Sequence, residues 1–505
     1  MNVGLYRVGS AIPHGISARP VHIDVHIGQG LPSFTIVGVT NAECRNTRDR
    51  VRAAIVNSGF QWPSRLITIA ASPSHITTPS AVLDLPIALA LLIASGQLKA
   101  PEGDELVNAF GELGLDGSVR PVVAHLPILR CLDGRRVLAP PMRVEPSCLP
   151  SGCPPAIELR HLNELPAVME RPVPGPVPPF AALDPQAGSN RDTPDQLDGL
   201  STLERALTIA IAGGHHTLIV GSRGVGKSRL LGALTRLVPD LDDREWHEQI
   251  MIQSAAGADL DDPAPYGRNR PVRVVDPNCS LVRLVGGMTN TMRPGEFSRA
   301  HRGLLVMDDL HLFSDQILQA LATTLDTRSV KVARAARSVE LPGYFQLVAT
   351  APRCPCGAPT KPDCLCSDLA KARFVSKLTG SLLDRIDVVI DLDQLTGFDP
   401  MNPVRDLRIV PTEQDPISDE ALWTVAPIDQ NARDLLTTDV DDGRLSHRGV
   451  GRAWRVAHTI QQLRGTAGPI DLDTMLEAVT LRLGNPDGDP YLHKPTTGTS
   501  FGSLR

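Results

Sequence analysis

A chain of 505 residues with 42% apolar side chains is too long for one hydrophobic core, so roughly two to four domains are expected. Its net charge of −6 excludes a globally basic nucleic-acid coat and confines any such contact to a local patch. No apolar run reaches the roughly 18 residues of a membrane span, no charged-then-apolar leader opens the chain, and nine cysteines make no disulfide scaffold. A cytoplasmic protein with no membrane partner is expected.

Residues 1–170 read as a mixed α/β domain. Residues 21–27 and 34–37 alternate apolar and polar side chains around Gly28-Gln29-Gly30, the pattern of a hairpin with one wet face. Helices are expected over residues 46–58 and 84–95. The second covers the longest apolar stretch, which Pro86 interrupts. From Arg171 the chain turns rich in Pro, Gly, Asp and Ser without a hydrophobic period, which reads as a linker over 171–195. Strand–loop–helix units then alternate over 196–395, the signature of a parallel sheet with helices on both faces. Residues 396–485 read as a separate small helical bundle, and 486–505 as a frayed Gly-, Pro- and Thr-rich tail.

Chemistry concentrates in the middle segment. A short apolar strand, residues 216–220, runs into Gly221-Ser222-Arg223-Gly224-Val225-Gly226-Lys227-Ser228 and then a helical pattern. Glycines at these positions let backbone N–H groups turn inward around a phosphate, and the helix N-terminus adds its positive end. Lys227 is placed for the β- and γ-phosphates of ATP and Ser228 for its Mg²⁺. Further on, the apolar run Leu304-Leu305-Val306-Met307 ends in Asp308 and Asp309. Asp308 would complete the Mg²⁺ shell, and Asp309 would orient the attacking water.

Two more clusters stand out. Cys354, Cys356, Cys364 and Cys366 fall within 13 residues, enough thiolates for one tetrahedral, structural Zn²⁺, although the C-x-C spacing is tight. Arg328, Lys331, Arg334 and Arg337 form a cationic run with no acid between Asp326 and Glu340.

With these motifs located, the chain resembles the ComM/YifB branch of the magnesium-chelatase-like AAA+ ATPases. The ordered segments that carry the resemblance span about residues 1–485. They include Gly30-Leu31-Pro32, Asp84-Leu85-Pro86-Ile87 and Gly111-Glu112-Leu113 early in the chain. Later ones are Arg293-Pro294-Gly295-Glu296, Ala300-His301-Arg302-Gly303, Cys354-Pro355-Cys356-Gly357 and Leu382-Leu383-Asp384-Arg385-Ile386-Asp387. The resemblance implies a Lon-protease-like α/β N-terminal domain, an AAA+ P-loop core and a small helical lid. It also implies a homo-oligomeric ring, a hexamer in related helicases, that moves on DNA at the expense of ATP.

The same resemblance assigns roles to single residues. Val82 and Leu126 stand where a Lon-type protease carries its Ser–Lys pair, and neither can act as nucleophile or base. Arg385 stands where related ATPases supply an arginine finger to the neighbouring subunit. Arg448 matches a lid arginine that reaches nucleotide in its own subunit. The 328–337 run matches a hairpin that touches DNA phosphates in a pore, a contact blind to sequence.

Three departures qualify the resemblance. Asp309 replaces a glutamate, Pro352 replaces a polar Asn, and Val275-Asp276-Pro277 stands where Pro-His-His is expected. Binding residues are therefore complete, while slowed hydrolysis is expected. A metal-chelatase motor subunit and a hydrolysis-poor nucleotide-binding regulator stay open as alternatives.

Overall fold

The computed structural model describes residues 4–73, 81–101, 106–132, 136–142, 149, 153–171, 196–234, 237–257, 267–288, 292–334, 337–357, 366–367, 369–370, 373–374, 382–395, 409, 422 and 424–484. Of the expected linker over 171–195 only Arg171 belongs to this set, and the expected tail over 486–505 lies outside it. Among the described residues no helix is long and apolar enough to cross a membrane.

The N-terminal part builds one seven-stranded mixed sheet. Its strands are β1 (Leu5–His14), β2 (Ser17–Gly28), β3 (Ser33–Ile36), β4 (Leu66–Ser72) and β5 (Val107–Ala109), with a short ribbon β6 (Glu112–Leu113) and β7 (Val119–Arg120) apart from it. β8 (Arg136–Ala139) and β9 (Ala156–Glu158) complete the order β3-β4-β2-β1-β5-β8-β9. The expected β2–β3 hairpin does not form. β2 turns back instead on β1 in antiparallel register, Leu5 opposite His26, and β4 inserts between β2 and β3. The apolar side of β2 (Val21, Ile23, Val25, Ile27) is legible in sequence, but the choice of neighbour is made by non-local packing.

Helix α1 (Asn41–Asn57) begins five residues earlier than its hydrophobic period suggests. Thr40 caps it, accepting from Glu43 N–H while Glu43 reaches back to Thr40 N–H. Helix α2 (Asp84–Ala94) is buried along its entire length, so it carries no amphipathic stripe. Its first residue, Asp84, is held by Arg50 at 2.9 and 3.0 Å, and burial raises its carboxyl to about 6. Short helices α3 (His125–Cys131) and α4 (Leu165–Glu170) close this part.

The second sheet is the frame of the site. Helix α5 (Thr202–Ala212), with a Ser201–Glu204 capping box, leads into β10 (Thr217–Val220), and α6 (Lys227–Leu234) follows. After α7 (Asp243–Ala256) come β11 (Val272–Val275), a ribbon of β12 (Gly286–Met288) with β13 (Met292–Pro294), and β14 (Leu304–Met307). A helix Asp315–Thr327 leads to the hairpin β15 (Ser329–Arg334) and β16 (Arg337–Pro342), then β17 (Gln346–Ala351) and β18 (Val388–Asp391). Five of these strands pair in parallel in the order β11-β14-β17-β10-β18. β10 thus lies between strands reached from opposite directions, a switch point where a crevice opens beyond the carboxyl ends.

The C-terminal helices Gln430–Asp441, His447–Arg464 and Leu472–Leu483 are not a separate bundle. Trp454, Val456, Ile460, Met475 and Val479 share one apolar cluster with Leu207 of α5, Ile219 of β10 and Leu230 of α6. A second unexpected core joins the two sheets' layers. Leu126, Ile128 and Leu129 of α3 pack with Trp246, Ile250 and Met251 of α7, and Val82 belongs to the same cluster. Backbone contacts fix this joint: Ala124 N–H donates to Ser254 O at 2.8 Å, and Leu126 N–H to Ser254 Oγ at 3.2 Å.

Candidate functional site

β10 ends at Val220 and the chain turns sharply before α6 begins at Lys227. Gly226, at φ 107°, occupies a conformation that a side chain would strain, which is why the turn needs glycine there. Lys227 Nζ bends back to the carbonyls of Gly221 and Ser222, both at 2.9 Å. Its ammonium is therefore held against the loop's own backbone. Ser228 Oγ donates to Asp308 Oδ2 at 3.0 Å, bringing together two residues 80 apart in sequence. Hydroxyl and carboxylate adjacent to one ammonium are the donor set of a Mg²⁺–phosphate site, so the residues fit that group.

Asp308 and Asp309 follow β14 as expected, but they are not equivalent. Asp308 faces Ser228 and accepts from Thr350 Oγ1. Asp309 has a left-handed backbone, φ 52°, and leaves its side chain 46% exposed toward the cleft. Its N–H donates to Thr350 Oγ1 at 2.9 Å. One cleft is lined by Arg223, Gly224, Gly226, Lys227 and Ser228 together with Asp308, Asp309, His311 and Pro352. The expected non-donating side chain at 352 thus borders the site.

Three supporting residues escaped sequence reasoning. Thr350, wholly buried, ties both acidic residues to β17; a polar side chain in the apolar run 346–351 was the available signal. Asp393 accepts from Ser222 N–H and Ser222 Oγ, both at 2.8 Å, and so anchors the start of the loop to the end of β18. Arg353 pairs with Asp391 and Asp393. None of these carries a recognisable motif spacing.

The remaining candidates fare unevenly. Arg385 is buried and ion-paired with Asp326 of its own chain through Nε at 2.8 Å. Arg448 is exposed on the first turn of its helix and is not among the residues lining the cleft. Instead, the C-terminal helices grip the 382–387 segment: Arg452 Nη1 binds Asp387 Oδ1 at 3.0 Å, and Arg482 donates to Leu383 O at 3.1 Å and to Ile386 O. Burial favours neutral Asp387, but Arg452, the neighbouring His216 and His215 and the His216 N–H together outweigh it and hold the carboxyl down at about 2.

The cationic run does form a hairpin, yet its charges are not all free to project. Arg328 precedes the hairpin and lies over the Tyr344 ring, 5.2 Å from its centroid. Lys331 is exposed but sits directly opposite Glu340 in the register. Arg334 and Arg337 face each other at the tip, and their side chains lie outside the described residues. Of the cysteines, Cys354, Cys356 and Cys366 bring their sulfurs within 4.8 Å of one another, while Cys364 lies outside the described residues.

Comparison with known proteins covers most of the chain. Residues 195–399 match the family described as magnesium chelatase, subunit ChlI; residues 23–137 match subunit ChlI of Mg-chelatase, and 407–482 its C-terminal region. An uncharacterised protein of Mycobacterium tuberculosis is 33% identical over 504 residues, covering 95% of this chain and 99% of that one. YifB of Escherichia coli is 33% identical over 382 residues, covering 75% of this chain and 74% of its own length. The competence protein ComM of Haemophilus influenzae is 32% identical over 386 residues, covering 75% of each chain.

Proposed function

This chain belongs to the ComM/YifB branch of the magnesium-chelatase-like AAA+ family, and from that premise we propose that it is a ring-forming, ATP-dependent DNA translocase with weakened hydrolysis. The observation that carries the reading is the meeting of Lys227, Ser228 and Asp308 at the carboxyl edge of the parallel sheet. Ser228 and Asp308 would hold a Mg²⁺ that arrives with the nucleotide, and it would supply positive charge against the charge developing on the phosphates. Lys227 orients the phosphates, Ser228 and Asp308 hold the cation, and Asp309 aligns the water.

On this reading the N-terminal sheet is a Lon-like domain without protease chemistry, and the C-terminal helices are the lid. Arg385 reaches the neighbouring subunit's nucleotide after exchanging Asp326 for the γ-phosphate. Lys331 and the tip pair Arg334 and Arg337 contact DNA phosphates, and the molecule works in the cytoplasm. A hydrolysis-poor regulator is the second reading, favoured by Pro352 at the cleft wall, whose ring offers no side-chain donor.

Fluorescent ATP binding and ATP turnover, each with and without branched DNA, test these readings together. Lys227→Ala should abolish nucleotide binding; unchanged affinity would remove the site assignment. The translocase reading expects DNA to raise turnover several-fold, and expects Arg334→Ala with Arg337→Ala to remove that rise without weakening ATP binding. Tight binding with turnover indifferent to DNA would leave the regulator.

A further inference from the structure

Three cysteines of the cluster, Cys354, Cys356 and Cys366, lie beside the phosphate loop, and the contacts between their segment and that loop have no counterpart in the nucleotide chemistry described above. Cys354 Sγ is 3.0 Å from Cys356 Sγ and 3.5 Å from Cys366 Sγ, and all three sulfurs fall within 4.8 Å of one another. A tetrahedral Zn²⁺ with Zn–S bonds of about 2.3 Å places its sulfurs about 3.8 Å apart, so this spacing suits three corners of such a site. The three side chains are half-buried, and their segment is knotted by a turn in which Gly357 N–H donates to Cys354 O at 2.8 Å.

That turn touches the phosphate loop directly. Gly357 O accepts from Arg223 N–H at 3.0 Å. Gly357 has φ +74°, and a Cβ there would lie 2.5 Å from Arg223 Cγ, so the Arg223 stem lies against the bare glycine. One residue before the first cysteine, Arg353 pairs with Asp393, which in turn holds Ser222 N–H and Oγ. The cysteine segment therefore grips two consecutive residues of the loop, Arg223 directly through Gly357 and Ser222 indirectly through Arg353 and Asp393.

We infer that Cys354, Cys356 and Cys366 bind a soft divalent cation, Zn²⁺ first among them, and that the loaded knuckle acts as a clasp that preorganises the phosphate loop for nucleotide. The inference rests on the nucleotide-binding reading proposed above. Metal binding fixes where the Gly357 carbonyl and the Arg353 guanidinium stand. With the metal gone, Arg223 and Ser222 lose that fixed support, and nucleotide must order the loop as it binds.

The test uses the full chain, loaded with Zn²⁺ or stripped by chelator, with metal analysis and titration of a fluorescent adenine nucleotide on both samples. Loaded protein should hold about one zinc per chain. Stripping should weaken nucleotide binding about tenfold, the cost of reordering a few loop groups, and added Zn²⁺ should restore it. Cys366→Ser should lose both zinc and the tenfold. Gly357→Ala should keep zinc yet bind nucleotide as weakly as the stripped chain, which separates the clasp from general unfolding on metal loss. Zinc well below one per chain after incubation with Zn²⁺ overturns the site. Equal nucleotide affinity of loaded and stripped chains, or of Gly357→Ala and the parent, overturns the clasp alone. A loaded chain that binds no nucleotide overturns the nucleotide reading itself, and the clasp falls with it.

Discussion

At the residue scale the site divides between groups that bind and groups that align. Lys227 is held by the carbonyls of Gly221 and Ser222, and Ser228 by Asp308, so the residues assigned to binding are positioned by short-range hydrogen bonds. Asp309 is a different case. Its left-handed φ of 52° suits aspartate better than glutamate, and one methylene fewer draws its carboxylate back from the cleft. Asp309→Glu should therefore raise ATP turnover by an order of magnitude or more, while leaving nucleotide affinity within about twofold. The longer side chain in a left-handed backbone should also cost up to about 1 kcal/mol of stability. Single-turnover kinetics beside equilibrium titration separates these effects, and a parent chain already hydrolysing several ATP per second would refute the weakened-hydrolysis reading. Motif spacing exposed Lys227, Ser228 and Asp308 in the sequence. Thr350 and Asp393 stayed hidden because their roles depend on which strand ends lie side by side.

At the scale of elements, the contact between the C-terminal helices and the 382–387 segment is the mechanical joint. Arg452 and Arg482 hold the loop that carries Arg385, so movement of these helices moves the proposed finger. Removing one partner of a buried ion pair costs about 3 kcal/mol or more, and Arg452→Ala should lower the melting temperature accordingly. Beneath the joint, His215 is buried and donates to or accepts from Thr459 Oγ1 at 2.9 Å; burial depresses it to about 4. A histidine depressed in the fold is neutral there and takes up its proton only on unfolding. Its contribution is complete above the ordinary value near 6.5, shrinks as pH falls, and is gone by about 4. Because His216 is depressed to about 4 as well and Asp84 is raised to about 6, the test compares the parent with His215→Asn: in thermal melts from pH 7.5 to 4.5 the parent should lose stability by about one proton's slope more than the variant. Equal slopes would mean that His215 titrates normally in the folded chain. The hairpin teaches a similar lesson about elements: the cationic run was legible in sequence, whereas the Lys331–Glu340 pairing and the Arg328–Tyr344 stacking needed register and fold.

At the scale of the whole molecule, the decisive feature is the apolar joint between α3 and α7. Val82 is 5% exposed and Leu126 fully buried, in one cluster with Trp246, Ile250 and Met251. On the proposed Lon-like reading, the two positions matched to a protease dyad are filled by packing against the layer of the second sheet. Val82→Ser with Leu126→Lys should yield no peptidase activity and should destabilise the chain, because it buries an ammonium without a partner. Trp246→Ala should cost about 3–5 kcal/mol and loosen both layers together; melting of the second sheet alone, with the first unaffected, would deny the joint. The sequence by itself determined the glycine-rich turn with its lysine and serine, the acidic strand end, the cysteine cluster and the family, because each is a local pattern of fixed residue types at fixed spacing. Only the tertiary structure decided that β2 pairs with β1 and β4, that the C-terminal helices share the sheet's core, and that Asp393 and Gly357 support the loop. Those outcomes depend on which distant apolar faces bury one another, and no local spacing records that choice.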